Sequence, residues 1–246
     1  MNITIDGQTC TVKPGQLILQ AARQNGIDIP TLCHHEALAG QACCRLCVVE
    51  TEDPQGRRNV VVSCTHPVQE GLKVHTSTDK IRRIRRTVLS LLHERAPGAQ
   101  GALPEYCREY DVPDYGLRFN VDSTEKCILC GLCVKACDTL GTAAIATALR
   151  GIDKVVAPPW DEPPADCIGC ASCANVCPTA AIDCSEAAGV RTIWGQDFTL
   201  VPCAACGKPF ATTQELAWLN DRLLDTQQPL DLCPSCRAKA LAKGFE

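Results

Sequence analysis

The first third of the chain alternates polar and apolar residues in the way that short β-strands do. The predicted strands span residues 2–6, 9–13, 46–51, 59–63 and 72–75. Gly7 separates the first two, which predicts a hairpin. Residues 17–25 have helical spacing and end at Gly26. Together, these elements predict an α+β domain over residues 1–78, with one helix lying across a small sheet.

Residues 79–120 are predicted to form a helical spacer. The periodicity over residues 79–95 places apolar side chains on one face of a helix. Four arginines lie largely off that face: Arg82, Arg83, Arg85 and Arg86. We interpret them as a solvated basic face, and a docking surface for an acidic partner subunit is the alternative.

The remaining sequence divides at about residue 190. Residues 121–190 contain a Pro-rich loop, APPWDEPPAD, between two cysteine-rich runs. Residues 191–246 are predicted to form a separate small module. Its central helix spans residues 213–224, with four leucines on one side: Leu216, Leu219, Leu223 and Leu224.

The composition indicates that metal ligands replace part of a conventional core. Among 246 residues there are 20 cysteines and one methionine, and only 4% are aromatic. Small modules that lack apolar side chains are commonly stabilised by metal–thiolate bonds. The net charge of −4 provides no basic footprint for nucleic acid.

The N-terminal residues alternate like a strand and do not resemble a signal peptide. No apolar run is long enough to cross a bilayer. We therefore expect a reducing, cytoplasmic location, where cysteines bind metals and do not form disulfides.

Two runs have the spacing C-x2-C-x2-C-x3-C. The cysteines are Cys127, Cys130, Cys133 and Cys137 in the first run, and Cys167, Cys170, Cys173 and Cys177 in the second. This spacing is typical of [4Fe–4S] clusters in two-cluster ferredoxins. Two zinc knuckles are the alternative, but triple C-x2-C-x2-C runs suit a cubane better than a tetrahedral ion. We therefore expect an electron carrier.

A third set of cysteines lies in the N-terminal domain. Its spacing is C-x10-C-x2-C-x16-C, and its members are Cys33, Cys44, Cys47 and Cys64. Four thiolates that converge on two irons would bind a [2Fe–2S] cluster.

The runs IPTLCHHEALAGQACCRLCVVE and VVVSCTHPVQEGLKVHT resemble the [2Fe–2S] domain of the large iron–sulfur subunit of respiratory complex I. They are also similar to the small diaphorase subunit of NAD-reducing hydrogenases and to iron-only hydrogenases. The resemblance implies a β-grasp ferredoxin fold. Cys43 precedes Cys44 directly, and we choose Cys44 because it matches the Cys-Arg-x-Cys of the family.

The same families resemble this chain over CILCGLCVKACDTLGTAAI and CIGCASCANVCPTAAI. In this ferredoxin arrangement the fourth cysteine of each run ligates the other cluster. The first cluster would then take Cys177 in place of Cys137, and the second would take Cys137 in place of Cys177. This crossing would bring the two clusters close together.

The chain departs from those families in the spacer. There, one histidine and three cysteines bind a further [4Fe–4S] cluster. This sequence offers only His93 and Cys107. Because two ligands cannot replace four, we predict that this cluster is absent.

The C-terminal module contains two CxxC pairs: Cys203 with Cys206, and Cys233 with Cys236. This pattern predicts a zinc-ribbon or treble-clef site with one structural Zn²⁺. A further [4Fe–4S] cluster and a site without metal are the alternatives. The four cysteines outside these sets are expected to be small buried residues: Cys10, Cys43, Cys107 and Cys184.

The sequence contains no G-x-G-x-x-G fingerprint, no P-loop and no credible pair of nucleophile and base. We therefore predict a subunit that is not catalytic on its own and that relays single electrons. The resemblance implies a flavin-containing NAD(P)H dehydrogenase partner and, at the far end, a [NiFe] hydrogenase. A molybdenum or tungsten formate dehydrogenase is an alternative far partner. An iron–sulfur redox sensor or a zinc-anchored interaction protein is the alternative of another class.

Overall fold

The computed structural model describes residues 1–38, 40–222 and 230–243. The chain forms two compact units, one of residues 1–132 and 177–181, and the other of residues 133–176 and 182–246.

The first unit contains a mixed sheet with the strand order β2-β1-β5-β3-β4. Its strands are β1 (Asn2–Ile5), β2 (Gln8–Thr11), β3 (Val48–Glu52), β4 (Arg58–Val62) and β5 (Lys73–His75). The pairing of β1 with β5 is parallel and the other pairings are antiparallel. Asp6 and Gly7 join β1 to β2 with φ angles of 46° and 87°. Both angles are positive, as a type I′ hairpin turn requires.

The helix α1 (Ile18–Gln24) packs on this sheet, as the sequence predicted. Its inward side chains are fully buried against apolar residues of the strands. They are Ile18, Leu19, Ala21 and Ala22 on the helix, and Ile3, Ile5, Val49 and Val74 on the sheet. This core holds the strand ends that carry two of the cysteines.

The long helix α2 (Asp79–Arg95) has the predicted bounds. Thr78 caps its N-terminus by accepting a hydrogen bond from the N–H of Ile81 at 3.3 Å. A shorter helix, α3 (Ala102–Glu109), follows. The prediction of a solvated basic face is wrong for Arg85, which is only 2% exposed. Its guanidinium donates hydrogen bonds to Leu46 O, Val48 O and the hydroxyl of Tyr110.

The second unit contains an antiparallel sheet with the order β11-β10-β9-β8. Its strands are β8 (Cys184–Ala187), β9 (Val190–Ile193), β10 (Gln196–Pro202) and β11 (Pro209–Thr212); the strands β6 (Ala146–Ala148) and β7 (Val155–Ala157) form a separate hairpin. Residues 188–189 and 194–195 are two-residue turns in which every φ is positive. The pairing of β8 with β9 spans residue 190, where the sequence analysis placed a domain boundary.

The α-helices in the described part of this unit are α4 (Leu132–Leu140), α5 (Ser172–Asn175), α6 (Thr213–Arg222) and α7 (Pro234–Lys243). The helix α6 begins where it was predicted, and Leu223 and Leu224 of that prediction lie outside the described residues. The buried core around Ala171, Ile193 and Phe198 joins the sheet to the second cysteine run.

Candidate iron–sulfur and metal centres

The register of β3 and β4 brings Cys47 and Cys64 together. Val48 pairs with Val62, and the two cysteines lie just outside this last pair of the ladder. Ser63, which is fully buried, fixes them further, because its N–H and hydroxyl both donate to Cys47 O, at 3.1 and 2.7 Å. The nearby Cys64 thiol lowers the pKa of Cys47 to about 6, which favours the thiolate that a metal requires.

Cys33 and Cys44 complete the N-terminal set, and both are buried. The N–H of Cys44 points at the sulfur of Cys33, 3.4 Å away. Hydrogen bonds from Cys43 and Cys44 lower the pKa of Cys33 to about 2. Two observations separate the neighbouring candidates. Cys44 is 6% exposed, whereas Cys43 is exposed and its Sγ lies 3.0 Å from Cys130 O. Burial and the Cys130 contact thus distinguish Cys44 from Cys43.

Cys127 and Cys130 of the first run lie near Cys177, in the same unit of the structure. The pKa of the Cys127 thiol and that of the Cys130 thiol are raised, chiefly by burial, and Cys177 contributes to both shifts. Backbone N–H groups point at the sulfurs: Leu129 N lies 3.4 Å from Cys127 Sγ, and Ala181 N lies 3.2 Å from Cys177 Sγ. Such N–H···S contacts are typical of iron–sulfur ligands.

The second run lines an apolar cavity together with Cys137. The cysteines around this cavity are Cys137, Cys167, Cys170 and Cys173, and Ile193 and Trp194 of the C-terminal sheet also line it. Three N–H groups point at these sulfurs: Ala144 N at Cys137 Sγ (3.2 Å), Gly169 N at Cys167 Sγ (3.5 Å) and Trp194 Nε1 at Cys173 Sγ (3.5 Å). The thiols, the cavity and the N–H donors together fit a cubane cluster.

The four cysteine sulfurs of the C-terminal set lie close together. The sulfurs of Cys203, Cys206, Cys233 and Cys236 all lie within 4.8 Å of one another, and no other cluster of three or more ligand side chains in the described ranges is this close. Cys206 Sγ lies 3.8 Å from Cys233 Sγ. Four thiolates at about 2.3 Å from one tetrahedral Zn²⁺ stand about 3.8 Å apart. In a cubane each thiolate binds a different iron, so the sulfurs stand further apart.

Local structure around the C-terminal set favours a thiolate at Cys203. Cys203 follows β10 directly, and Gly207 N donates back to Cys203 O at 2.8 Å. The N–H of Cys233 lies 3.3 Å from Cys203 Sγ and is the main reason why the pKa of Cys203 falls to about 6. Pro234 opens α7, so Cys236 lies in the first turn of that helix.

The spacer residues lie on different helices. His93 is exposed on α2, and Cys107 is half-buried on α3. Burial raises the pKa of Cys107. The expectation for the cysteines outside the sets is right for Cys10, which is buried, and wrong for Cys43 and Cys184, which are exposed.

Sequence reasoning missed the residues that surround these sulfurs. Ser63 and Arg85 hold the main chain on either side of Cys47, and Trp194 reaches Cys173. For Trp194 a signal was present: Ala188-Gly189 and Trp194-Gly195 alternate with strand-like segments, a pattern typical of a β-meander.

Comparison with known proteins matches two parts of the chain to families. Residues 1–79 match the 2Fe-2S iron-sulfur cluster binding domain, and residues 126–181 match the 4Fe-4S dicluster domain. The chain is thus an iron–sulfur protein of mixed α+β fold with two ferredoxin-type domains.

More particularly, the chain is homologous to a subunit of an NADP-reducing hydrogenase and to subunits of NADH dehydrogenases. It is 32% identical to the NADP-reducing hydrogenase subunit HndD of Solidesulfovibrio fructosivorans, over 94% of this chain and 47% of that protein. It is 31% identical to the mitochondrial NADH-ubiquinone oxidoreductase 78 kDa subunit of Candida albicans, over 62% of this chain and 24% of that protein. The chain thus spans about half or less of the length of these relatives.

Among solved structures, the chain is similar to an NAD⁺-reducing [NiFe]-hydrogenase in the H2-reduced state. The TM-score is 0.64 and the identity 29%, over 73% of this chain and 85% of that one. In the part of the chain that the structure describes, no helix is long and apolar enough to span a membrane.

Proposed function

We propose that this chain is the electron-relay subunit of a multisubunit NAD(P)-linked oxidoreductase. The observation that carries the proposal is the presence of three cysteine sets, supplied with N–H donors, in a chain homologous to hydrogenase and NADH dehydrogenase subunits. When bound, each cluster would accept and donate one electron at a time.

The proposed ligand sets are those of the sequence analysis. The [2Fe–2S] cluster takes Cys33, Cys44, Cys47 and Cys64; the first [4Fe–4S] cluster takes Cys127, Cys130, Cys133 and Cys177; and the second takes Cys167, Cys170, Cys173 and Cys137. The fold of residues 1–78 is the β-grasp ferredoxin type. Cys137 lines the same cavity as Cys167, Cys170 and Cys173, which supports the crossed assignment for the second cluster.

The C-terminal set is proposed to hold one Zn²⁺. The 3.8 Å separation of Cys206 and Cys233 supports a single tetrahedral ion over a further cubane. Zn²⁺ has no redox chemistry, so this site stabilises the fold and carries no electrons.

The proposed partners are a flavin-containing NAD(P)H dehydrogenase subunit and a terminal [NiFe] hydrogenase subunit. The likeness to an NAD⁺-reducing [NiFe]-hydrogenase supports this choice of terminal partner. A molybdenum or tungsten formate dehydrogenase as terminal partner, and a redox sensor without partners, are the competing outcomes.

Anaerobic purification of the chain with its native partners tests the proposal. We expect flavin and nickel to co-purify, together with zinc and with iron in excess over zinc. Molybdopterin in place of nickel would indicate formate dehydrogenase, and isolation of the chain alone would favour the sensor. If the chain contained about one iron atom or none, with zinc at the ferredoxin sites, the relay proposal would be rejected.

A further inference from the structure

The loop that carries the second cysteine run is fastened to the C-terminal sheet through its main chain. Arg191 of β9 donates to Gly169 O at 2.7 Å, and the hydroxyl of Thr212 in β11 donates to Ile168 O at 2.5 Å. Arg191 is 7% exposed and also pairs with Glu186 at 2.7 Å. Because buried carbonyl groups need a donor, these two bonds fix the loop where its cysteines begin.

Apolar side chains of the sheet cover the same loop. Phe198 and Ile193 are 2% and 1% exposed and pack against Ala171 and Cys173. The ring of Phe198 lies so close to Gly169 that a Cβ at that position would come within 2.5 Å of it. Gly169 has a φ of +66°, so both its conformation and its contact with Phe198 require glycine.

Trp194, from the same sheet, contacts the sulfur of Cys173. It occupies the first position of the turn between β9 and β10, with a φ of +53°, where asparagine or glycine is usual. A bulky residue in this conformation is uncommon and strained. The turn places the Trp194 ring against the cavity, with its Nε1 3.5 Å from Cys173 Sγ.

The four-cysteine site lies at the end of the same sheet. The strand β10 carries Phe198 and runs directly into Cys203, and β11 ends in Thr212. The hydroxyl of Thr212 also accepts from Glu215 N at 3.0 Å, which caps α6. A metal bound at Cys203 would therefore hold the strands that hold the 167–173 loop.

We propose that the C-terminal module is the cover of the second [4Fe–4S] cluster and that Trp194 is a positioning residue that raises the reduction potential of this cluster. The inference rests on the proposed function. An N–H donor stabilises thiolate sulfur most when the cluster carries the extra electron, so the Trp194 bond favours the reduced form. The Trp194 ring and Cys173, which is half-buried, both pack against the hydrophobic cluster that contains Phe198.

The test is an EPR-monitored redox titration of the full-length, cluster-loaded protein carrying Trp194→Phe. This change removes the N–H and keeps an aromatic ring. Trp160→Phe is the matched control, because Trp160 lies in the same unit and is 88% exposed. In Trp194→Phe we expect one of the two [4Fe–4S] midpoints to fall, while the other and that of [2Fe–2S] stay unchanged. In Trp160→Phe no midpoint should move.

The EPR signals of Trp194→Phe and of the wild-type protein distinguish a failure of this inference from a failure of the proposed function. A Trp194→Phe protein that has lost one [4Fe–4S] signal and kept the other two centres also supports the cover. Unchanged midpoints, or a loss that extends to the [2Fe–2S] centre, would overturn it. Wild-type protein without any [4Fe–4S] signal would instead overturn the proposed function itself.

Discussion

The guanidinium of Arg85 donates a 2.8 Å hydrogen bond to the hydroxyl of Tyr110, and both side chains are buried. The same guanidinium donates to the carbonyl groups of Leu46 and Val48, which flank Cys47 in the chain. At this point β3 extends beyond its pairing with β5, whose last pair is Glu50 with His75. Arg85 thus supplies the hydrogen-bond donors that a neighbouring strand would otherwise provide beside Cys47, a proposed cluster ligand.

We predict that Arg85→Gln destabilises the N-terminal domain by roughly 2–4 kcal/mol, because it leaves buried carbonyl groups without a donor. Tyr110→Phe removes one hydrogen bond and should cost about 1 kcal/mol. Denaturant unfolding followed by the visible circular dichroism of the [2Fe–2S] centre measures both changes.

Arg82→Gln is the control for this prediction. Arg82 lies one helical turn before Arg85 and over the same Tyr110 ring, at 5.6 Å, but it is exposed. Its loss should change stability by less than about 0.5 kcal/mol. Equal effects of Arg82→Gln and Arg85→Gln would show that the buried hydrogen bonds of Arg85 contribute nothing.

The choice between Cys43 and Cys44 gives a second prediction. Cys44→Ser should abolish the [2Fe–2S] EPR signal or change it strongly, because it removes a buried thiolate. Cys43→Ser should retain the signal, since the Cys43 thiol contacts Cys130 O in the structure. A signal lost in Cys43→Ser and kept in Cys44→Ser would reverse the assignment.

Local patterns predicted much of the fold, because they depend on nearby residues. The hairpin at Gly7 and the helix α2 could be predicted in this way, and the spacing of the cysteines indicated the candidate ligand sets. Helical spacing places Arg85 with the apolar residues Ile81 and Leu89, four positions to either side, but its hydrogen bonds to β3 could not be predicted, because Leu46 and Val48 are distant in sequence. The turn at Trp194 leaves a signal in the sequence, but its contact with Cys173 could not be predicted, since it depends on how the β9–β10 hairpin packs on the 167–173 loop.

Removal of the C-terminal metal gives a third prediction. Structural zinc sites contribute apparent binding free energies of about 10–16 kcal/mol to folding. Cys236→Ser should therefore release the zinc and unfold the sheet that covers the 167–173 loop. We expect one [4Fe–4S] signal to be lost faster in air, while the [2Fe–2S] signal persists. Metal analysis and EPR at timed intervals measure both effects.

Cys184→Ser is the matched control for the metal site. Cys184 is an exposed thiol in β8 of the same sheet, outside every proposed ligand set. This variant should keep its zinc and lose its clusters at the wild-type rate. If Cys236→Ser retained zinc, or if its clusters were as durable as those of Cys184→Ser, the metal would not support the sheet.

The proposed crossed ligation of the two [4Fe–4S] clusters gives the last prediction. Crossing assigns Cys137 to the cluster of the second run, whose cavity it lines together with Trp194. Cys137→Ser should therefore remove the [4Fe–4S] midpoint that Trp194→Phe shifts, and Cys177→Ser should remove the other one. Redox titration of the two serine variants, each with and without Trp194→Phe, measures this. In Cys137→Ser the surviving [4Fe–4S] midpoint should not respond to Trp194→Phe, whereas in Cys177→Ser it should. If the clusters were not crossed the two responses would be exchanged, because each run would then supply all four ligands of its own cluster.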